Sequence, residues 1–195
     1  MEILGVDPST TSTGVALISD GSITTAAILS TGKRGDSLPM RVVRLNALVE
    51  GVRPWVRPGA LVVIEGPAFG APGGSTWDRA GLWHRLVAMF YELGCEVAVV
   101  GNTTRAKWAT GSGTSDKAGV AVAVSRLAPE VRIGTSDEAD ALVLALMGAQ
   151  ALGLRPQTQA RAESVRVAVW PDSVLAGLAA RLELRPGAQQ GLLVA

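Results

Sequence analysis

Hydrophobic and polar residues alternate in short runs at the start of the chain, which predicts three strands. The runs cover residues 2–7, 14–19 and 23–31 and are rich in β-branched side chains. A loop of Ser and Thr separates the first two, and Asp20-Gly21, a strong hairpin signal, separates the second from the third. We therefore expect an antiparallel meander at the N-terminus.

Longer segments follow in which helices and buried strands alternate. Apolar residues at helical spacing predict a helix over 38–52, and further helices are predicted over 77–93, 117–127 and 136–152. Segments 60–65 and 96–100 are apolar without alternation, which is typical of strands covered on both faces. The pattern predicts an α/β fold: a mixed five-stranded sheet, three antiparallel strands followed by parallel strands, with helices on both faces.

The C-terminal part of the chain has a weaker pattern. Segment 165–170 reads as one more strand and 171–184 as a short helix, and no pattern follows. At 195 residues the chain fits one domain, since about 150 residues per domain is usual. We assign 1–153 to that domain and 154–195 to an extension of unknown role.

Composition and charge narrow the class of protein. Hydrophobic residues make up 48% of the chain, Cys95 is the only cysteine, and no apolar run approaches the ~18 residues of a membrane span. We expect a cytoplasmic protein without disulfides or membrane contact. The net charge is only +1. However, six basic residues lie between 33 and 57 against two acids, and Arg105, Lys107 and Lys117 form a second basic stretch. Each stretch fits either a solvated surface or an anionic partner.

Two acids stand where predicted strands end. Asp7 closes the first strand and Glu65 closes the strand over 60–65. In an open α/β sheet, ligands gather at the carboxyl ends of strands, so neighbouring strands would bring these carboxylates together. Taken singly, Asp7 also fits a turn-forming residue and Glu65 an ordinary charge at a strand exit.

A third group of acids opens the helix over 136–152. Ser136 can cap this helix, and Asp137 and Glu138 suit its first turn. Asp137 and Asp140 lie about 60° apart around a helix and share a face, whereas Glu138 points away. Because the rest of this helix is apolar on every side, Asp140 should be buried and should require a positive partner.

Asp7, Glu65, Asp137 and Asp140, with no His or Cys cluster beside them, form a hard oxygen-ligand set. Such a set suits Mg²⁺, with Mn²⁺ as a substitute, better than Zn²⁺. Two ions about 4 Å apart could activate water and neutralise a leaving oxygen at a phosphodiester. His84, the only histidine, is interpreted as a surface or packing residue.

Two glycine-rich loops can contact nucleic acid. Backbone amides around Ser112 and Gly113 can approach a phosphate, and Lys117 begins the next helix, whose N-terminus also favours anions. A flexible connector is the alternative. Phe69, in the loop after Glu65, could stack on an unpaired base, or simply pack.

These motifs together resemble the RuvC family of Holliday junction resolvases, in the RNase H-like superfamily. The resemblance covers about residues 1–152 and rests on GVDPSTTSTG (5–14), VVIEGPAFG (62–70), KWATGSGTSDKAGV (107–120) and SDEADALVLAL (136–146), in the order of the family. It implies a homodimer that makes paired symmetric nicks in four-way DNA junctions. Helix 77–93 is the best candidate for the dimer contact, although on spacing alone core packing explains its apolar residues slightly better.

The resemblance also implies roles for single residues. Asp7, Glu65, Asp137 and Asp140 would bind metal and, with Lys117, act in catalysis. The predicted DNA-binding residues are Arg105, Lys107, Lys117, Phe69, Ser112 and Gly113. No nucleotide cofactor is expected, although GVDPSTTSTG also resembles the phosphate loop of sugar kinases and actin-like ATPases. A broader branched-DNA endonuclease and a non-enzymatic relative remain alternatives.

Overall fold

The computed structural model describes residues 1–33, 35–67, 76–155 and 158–182. Its five strands are β1 (Ile3–Asp7), β2 (Ser12–Ser19), β3 (Ser22–Leu29), β4 (Leu61–Glu65) and β5 (Glu96–Val100). They form one sheet in the order β3-β2-β1-β4-β5. The first three strands are antiparallel, while β4 pairs parallel with both β1 and β5. The predicted fold class is confirmed.

The β2–β3 hairpin shows why the N-terminal meander could be predicted. Asp20 has φ 49° and Gly21 has φ 77°, which are positive values at both central residues of the turn. Two positive φ angles define the type I′ geometry that matches the twist of paired strands and favours an Asp-Gly sequence. Ser19 and Ser22 pair directly across this turn.

Seven helices lie in the described ranges: α1 (Leu38–Val52), α2 (Thr76–Glu92), α3 (Asn102–Thr110), α4 (Lys117–Leu127), α5 (Ser136–Ala151), α6 (Gln159–Arg166) and α7 (Asp172–Leu182). They cover both faces of the sheet and create two cores. Helices α1 and α2 pack on one face through residues such as Leu48, Leu86 and Phe90. Helix α5 packs on the other face, together with α3, α4, α6 and α7.

Helix α5 lies unusually close to the sheet because two strand residues lack a side chain. A Cβ atom at Gly5 would stand 2.1 Å from the carbonyl oxygen of Ala141, and one at Gly14 would stand 2.0 Å from that of Asp137. Neither distance is possible for real atoms, so only glycine permits this approach. Both glycines belong to GVDPSTTSTG, and they bring the first turn of α5 against β2.

Two local predictions are wrong, and one helix was missed. Helix α3 was not predicted. Segment 165–170 is not a strand: α6 runs to Arg166, and only Val169 forms a bridge, to Val99 of β5. Thr135, not Ser136, caps α5, because its side chain accepts a hydrogen bond from the backbone N–H of Glu138.

The region assigned to the C-terminal extension packs into the same core as α5. Ala162, Val165, Trp170, Val174 and Leu178 are all buried there. The Val99–Val169 bridge has two backbone hydrogen bonds of 2.9 Å and covers part of β5, the edge strand. No helix in the described ranges is long and apolar enough to cross a membrane.

Candidate active site

Asp7 and Glu65 lie side by side at the carboxyl ends of the two neighbouring strands β1 and β4. In the parallel β1–β4 ladder Val6 is opposite Ile64, so the next residue of each strand is one of the two acids. Asp7 is 8% exposed, and the Glu65 side chain is 13% exposed. The sheet therefore brings together two buried carboxylates 58 positions apart in the chain, as the sequence predicted.

Helix α5 adds the other two predicted acids. Gly14, which contacts the Asp137 carbonyl, is opposite Asp7 in the β1–β2 ladder, so the first turn of α5 begins beside Asp7. Asp140, one turn further along, is 2% exposed. Glu138 does not join them: its carboxylate accepts hydrogen bonds from the Thr25 hydroxyl at 2.8 Å and from the Thr135 hydroxyl at 3.2 Å.

An arginine lies between two of these acids. Nε of Arg105 donates to Oε2 of Glu65 at 2.6 Å, Nη1 donates to Oδ1 of Asp140, and Nη2 donates to Oδ1 of Asn102 at 3.2 Å. Arg105 is only 4% exposed. The fold therefore buries the guanidinium of Arg105 in the acidic cluster, and the DNA contact of this residue stays a prediction.

The pKa values of the acids are shifted in different directions. Burial, followed by repulsion from Glu65, raises the pKa of Asp7 to about 7. Burial also raises the pKa of Glu65, although Arg105 opposes the effect. At Asp137 burial is outweighed by hydrogen bonds from Ser12 and Lys117, and the pKa is lowered. Near neutral pH the cluster therefore combines an ionised Asp137 with an Asp7 that can exchange a proton.

Lys117 is the second cation of the site. Its Nζ lies 3.0 Å from Oδ1 of Asp137, and its side chain is 66% exposed. Lys117 therefore joins the buried cluster to solvent. Next to this pair, the hydroxyl-rich loop after β1 is closed by Thr13, whose Oγ1 donates to the carbonyl of Ser9 at 2.8 Å.

The glycine-rich loop between α3 and α4 is held by its own hydroxyl groups. Gly111 ends α3 with φ 88°, and the hydroxyls of Thr110 and Ser115 lie 2.7 Å apart. Ser112 is exposed and Gly113 is half-buried. The loop leads to Asp116, whose carboxylate caps α4 by accepting from the N–H of Gly119 at 2.8 Å.

The remaining predicted residues lie away from the acids or outside the described ranges. Lys107 is exposed on α3, and its Nζ is 3.7 Å from the Glu163 carboxylate of α6. His84 is exposed on α2, in agreement with its interpretation as a surface or packing residue. Phe69 lies outside the described residues.

The four acids are the candidate ligands for the predicted divalent cation. The donor set fits in kind, since carboxylate oxygens are what Mg²⁺ and Mn²⁺ prefer. In the described parts of the chain, however, no group of three or more His, Cys, Asp or Glu side chains is arranged to hold a metal ion. Arg105 interposes its guanidinium between Glu65 and Asp140. The carboxylates that a divalent-cation site requires are therefore present, and the guanidinium of Arg105 contacts two of them.

Sequence reasoning missed the roles of Arg105, Asn102 and Ser12. For Arg105 the sequence contained one indication: a buried Asp140 requires a positively charged partner. The acidic set favours a bound metal ion as that partner, whereas the structure places Arg105 there. Because Arg105 belongs to a helix that was not predicted, nothing placed it beside Asp140.

Comparisons with known proteins agree with this architecture. No protein-family model matches the chain, and no curated protein sequence matches it. The structure of Thermus thermophilus RuvC matches with a TM-score of 0.59 at 21% identity, covering 79% of this chain and 96% of that one. T. thermophilus RuvC in complex with a Holliday junction substrate matches over the same shares, with a TM-score of 0.59 at 19% identity. Together with the observed sheet order, these matches show that the protein has a RuvC-like fold of the RNase H-like α/β class.

Proposed function

We propose that this protein is a divalent-metal-dependent endonuclease that nicks branched DNA, with the four-way junction as its principal substrate and a homodimer as its active form. The observation that carries the proposal is the convergence of Asp7, Glu65, Asp137 and Asp140 at one edge of the sheet. The structural likeness to a RuvC in complex with a Holliday junction substrate supports the choice of substrate.

Different residues of the chain would bind the metal and contact the DNA. The four acids would hold the cation once Arg105 no longer contacts Glu65 and Asp140, and the bound cation would supply an activated water and neutralise the leaving oxygen. Lys117, exposed beside Asp137, can contact an oxygen of the bound phosphate. Backbone amides around Ser112 and Gly113 can approach the DNA backbone, and exposed Lys107 can add a second phosphate contact.

Isosteric removal of single carboxylates tests the chemistry. Asp7→Asn and Glu65→Gln should reduce Mg²⁺-dependent nicking of a synthetic four-way junction by more than about 100-fold, since losing a direct ligand exceeds the typical cost of losing an outer-shell partner. Junction binding should remain, because basic groups supply the affinity. Glu50→Gln, an exposed acid on α1, is the matched control. Nicking that persists in both site variants would refute the proposal.

Substrate class is tested with the unaltered protein. Four-way, three-way and linear DNA of matched sequence are compared with Mg²⁺, Mn²⁺ or a chelator. We expect nicking in paired, symmetric positions on the four-way junction, with no requirement for a nucleotide. Equal rates on three-way and four-way DNA would favour the broader branched-DNA endonuclease.

The DNA contacts are tested by the salt dependence of binding. Lys107→Ala and Lys117→Ala should each weaken junction binding and reduce the slope of log K against log[salt] by up to about one, because each lost phosphate contact releases fewer counterions. Arg57→Ala is the control, since Arg57 lies before β4, at the opposite end of that strand from Glu65. An unchanged slope would remove that lysine from the DNA surface.

A further inference from the structure

We infer that Arg105 is a displaceable counter-cation: it holds Glu65 and Asp140 while no metal is bound, and a divalent cation must displace it to use those ligands. The inference rests on the metal dependence in the proposed function. It adds to that function a residue of this chain that controls how readily the acidic cluster accepts the ion.

The contacts of Arg105 are those of a cation enclosed by its partners. Three of its nitrogen atoms donate, one each to Glu65, Asp140 and Asn102, and only 4% of the residue is exposed. Two buried carboxylates without a positive partner would carry a large desolvation cost. Arg105 therefore allows the strand ends that carry the acids to fold without a bound metal ion.

The same contacts make Arg105 compete with a divalent cation for the carboxylate oxygens of Glu65 and Asp140. A divalent cation bound by Glu65 and Asp140 would need the carboxylate oxygens that the guanidinium now contacts, and like charges at such short range repel strongly in a buried site. Lys117 does not compete in this way, because its side chain is 66% exposed and its ion pair is with Asp137.

If Arg105 is displaced, its guanidinium can move toward solvent on the side of Asn102. Asn102, which holds its third nitrogen, is exposed at the first turn of α3, and the flexible stem of an arginine lets the guanidinium move while the helix stays in place. A freed guanidinium is suited to bidentate contact with a phosphate. Arg105 would thus move from the carboxylates to the DNA backbone, which restores to it a DNA-binding role in the metal-loaded state.

Metal binding without DNA tests the inference. The free Mn²⁺ signal in electron paramagnetic resonance is titrated with the full chain, with Arg105→Gln and with Arg105→Lys. We expect Arg105→Gln to bind Mn²⁺ at least tenfold more tightly, because the competing charge is gone. Arg105→Lys should bind Mn²⁺ more tightly than the wild type but less tightly than Arg105→Gln, because it keeps the charge and loses the planar fork that contacts both carboxylates. The exposed control Arg57→Gln should match the wild type. Mn²⁺ binding that is unchanged or weaker in folded Arg105→Gln would overturn the inference.

Thermal unfolding provides a second readout that a purely structural salt bridge would not reproduce. Without metal, Arg105→Gln should unfold about 5–10 °C lower than the wild type, and saturating Mg²⁺ should restore most of the difference, since the ion replaces the lost charge. A loss that Mg²⁺ does not restore would overturn the inference. If Arg105→Gln fails to fold, Arg105→Lys decides, and wild-type Mn²⁺ affinity in that variant also counts against the inference.

The outcome is separable from that of the proposed function. Adding Glu65→Gln to Arg105→Gln should weaken Mn²⁺ binding again, which locates the ion at this cluster. Tighter Mn²⁺ binding in Arg105→Gln without junction nicking by the wild type would refute the nuclease and leave Arg105 as a counter-cation. Nicking by the wild type with unchanged Mn²⁺ binding in Arg105→Gln would do the reverse.

Discussion

Asp7 is buried beside Glu65, and both the loss of water and the neighbouring carboxylate oppose its ionisation. Its pKa is about 7 in the fold, against 3.8 for an ordinary aspartate. The unfolded chain thus releases this proton at lower pH than the folded chain does. Between those two values the folded state binds more protons, so this residue makes the protein less stable as pH rises.

Asp7→Asn should therefore stabilise the metal-free protein in a pH-dependent manner. One pKa unit corresponds to about 1.4 kcal/mol, so removing the charge should add up to about 4 kcal/mol at pH 8 and less than half of that at pH 5. Thermal unfolding in a chelator, followed by circular dichroism at both pH values, measures the effect. A gain at pH 5 as large as that at pH 8 would contradict the assigned cause.

At the scale of single residues, sequence reasoning could predict the acids better than their partner. Asp7, Glu65 and Asp140 are predictable because strand ends and helix faces follow from local periodicity. The partner of Asp140 depends on which cation the fold brings near. Arg105 and Lys107 stand two positions apart in one basic stretch, yet the first is 4% exposed and the second is on the surface. Composition and spacing do not distinguish them.

At the scale of elements, the position of α5 determines the site. Every residue of α5 from Glu138 to Ala151 is buried. Its first turn lies against Gly14, directly across the ladder from Asp7. The glycines of GVDPSTTSTG thus have a geometric purpose, since they let a helix backbone approach close enough to place Asp137 and Asp140 beside the strand acids.

Gly14→Ala should separate α5 from the sheet and so damage the site more than its small volume suggests. A Cβ would stand 2.0 Å from the Asp137 carbonyl oxygen, so the helix must move. We expect a loss of about 1–3 kcal/mol of stability, typical of overpacking, together with a large loss of nicking. The measurements are chemical denaturation and junction cleavage. Gly21→Ala, with positive φ but no atom within 4 Å, is the control that tests backbone strain without overpacking.

Elements with a clear periodicity were predicted well, and those formed by tertiary contacts were not. Helices α1 and α4 have the predicted bounds, because their apolar residues recur at helical spacing. Helix α3 contains Thr103, Thr104, Arg105 and Lys107, and is formed against α4, α5 and α6 instead. Alternating valines at 165, 167 and 169 resemble a strand pattern, yet the first lies in the last turn of α6 and only the last bridges to β5.

At the scale of the whole molecule, α1 and α2 form an outer layer. An ion pair between Arg41 and Arg44 of α1 and Asp78 of α2 connects the two helices. Nε of Arg41 donates to Oδ2 of Asp78 at 2.9 Å, and Arg44 donates to the same oxygen at 3.3 Å. The hydrogen bond from Arg41 lowers the pKa of Asp78. The inner faces of both helices are filled by core residues, among them Leu48 on α1 and Leu86 and Phe90 on α2, which leaves only their outer faces for a partner.

The outer face of α2 carries large apolar side chains that the monomer does not cover. Trp77 is 83% exposed and Tyr91 is 62% exposed. They lie 14 positions apart, about 21 Å along one helix face. On neighbouring α1, Met40 is 58% and Val43 is 67% exposed. Exposed aromatic and apolar side chains of this kind are typical of interfaces, and they give the predicted dimer contact a specific location.

The double variant Trp77→Arg/Tyr91→Arg should convert a dimer into a monomer, because charges would have to be buried at the centre of the contact. Light scattering coupled to gel filtration should give about twice the 20.1 kDa chain mass for the wild type and the single mass for the variant. Val122→Arg, 53% exposed on α4, is the control and should remain dimeric. The monomeric variant should also lose paired nicking, since one active site cuts one strand. A wild type that is monomeric at micromolar concentration, or a double variant that stays dimeric, would show that α2 is not the dimer contact.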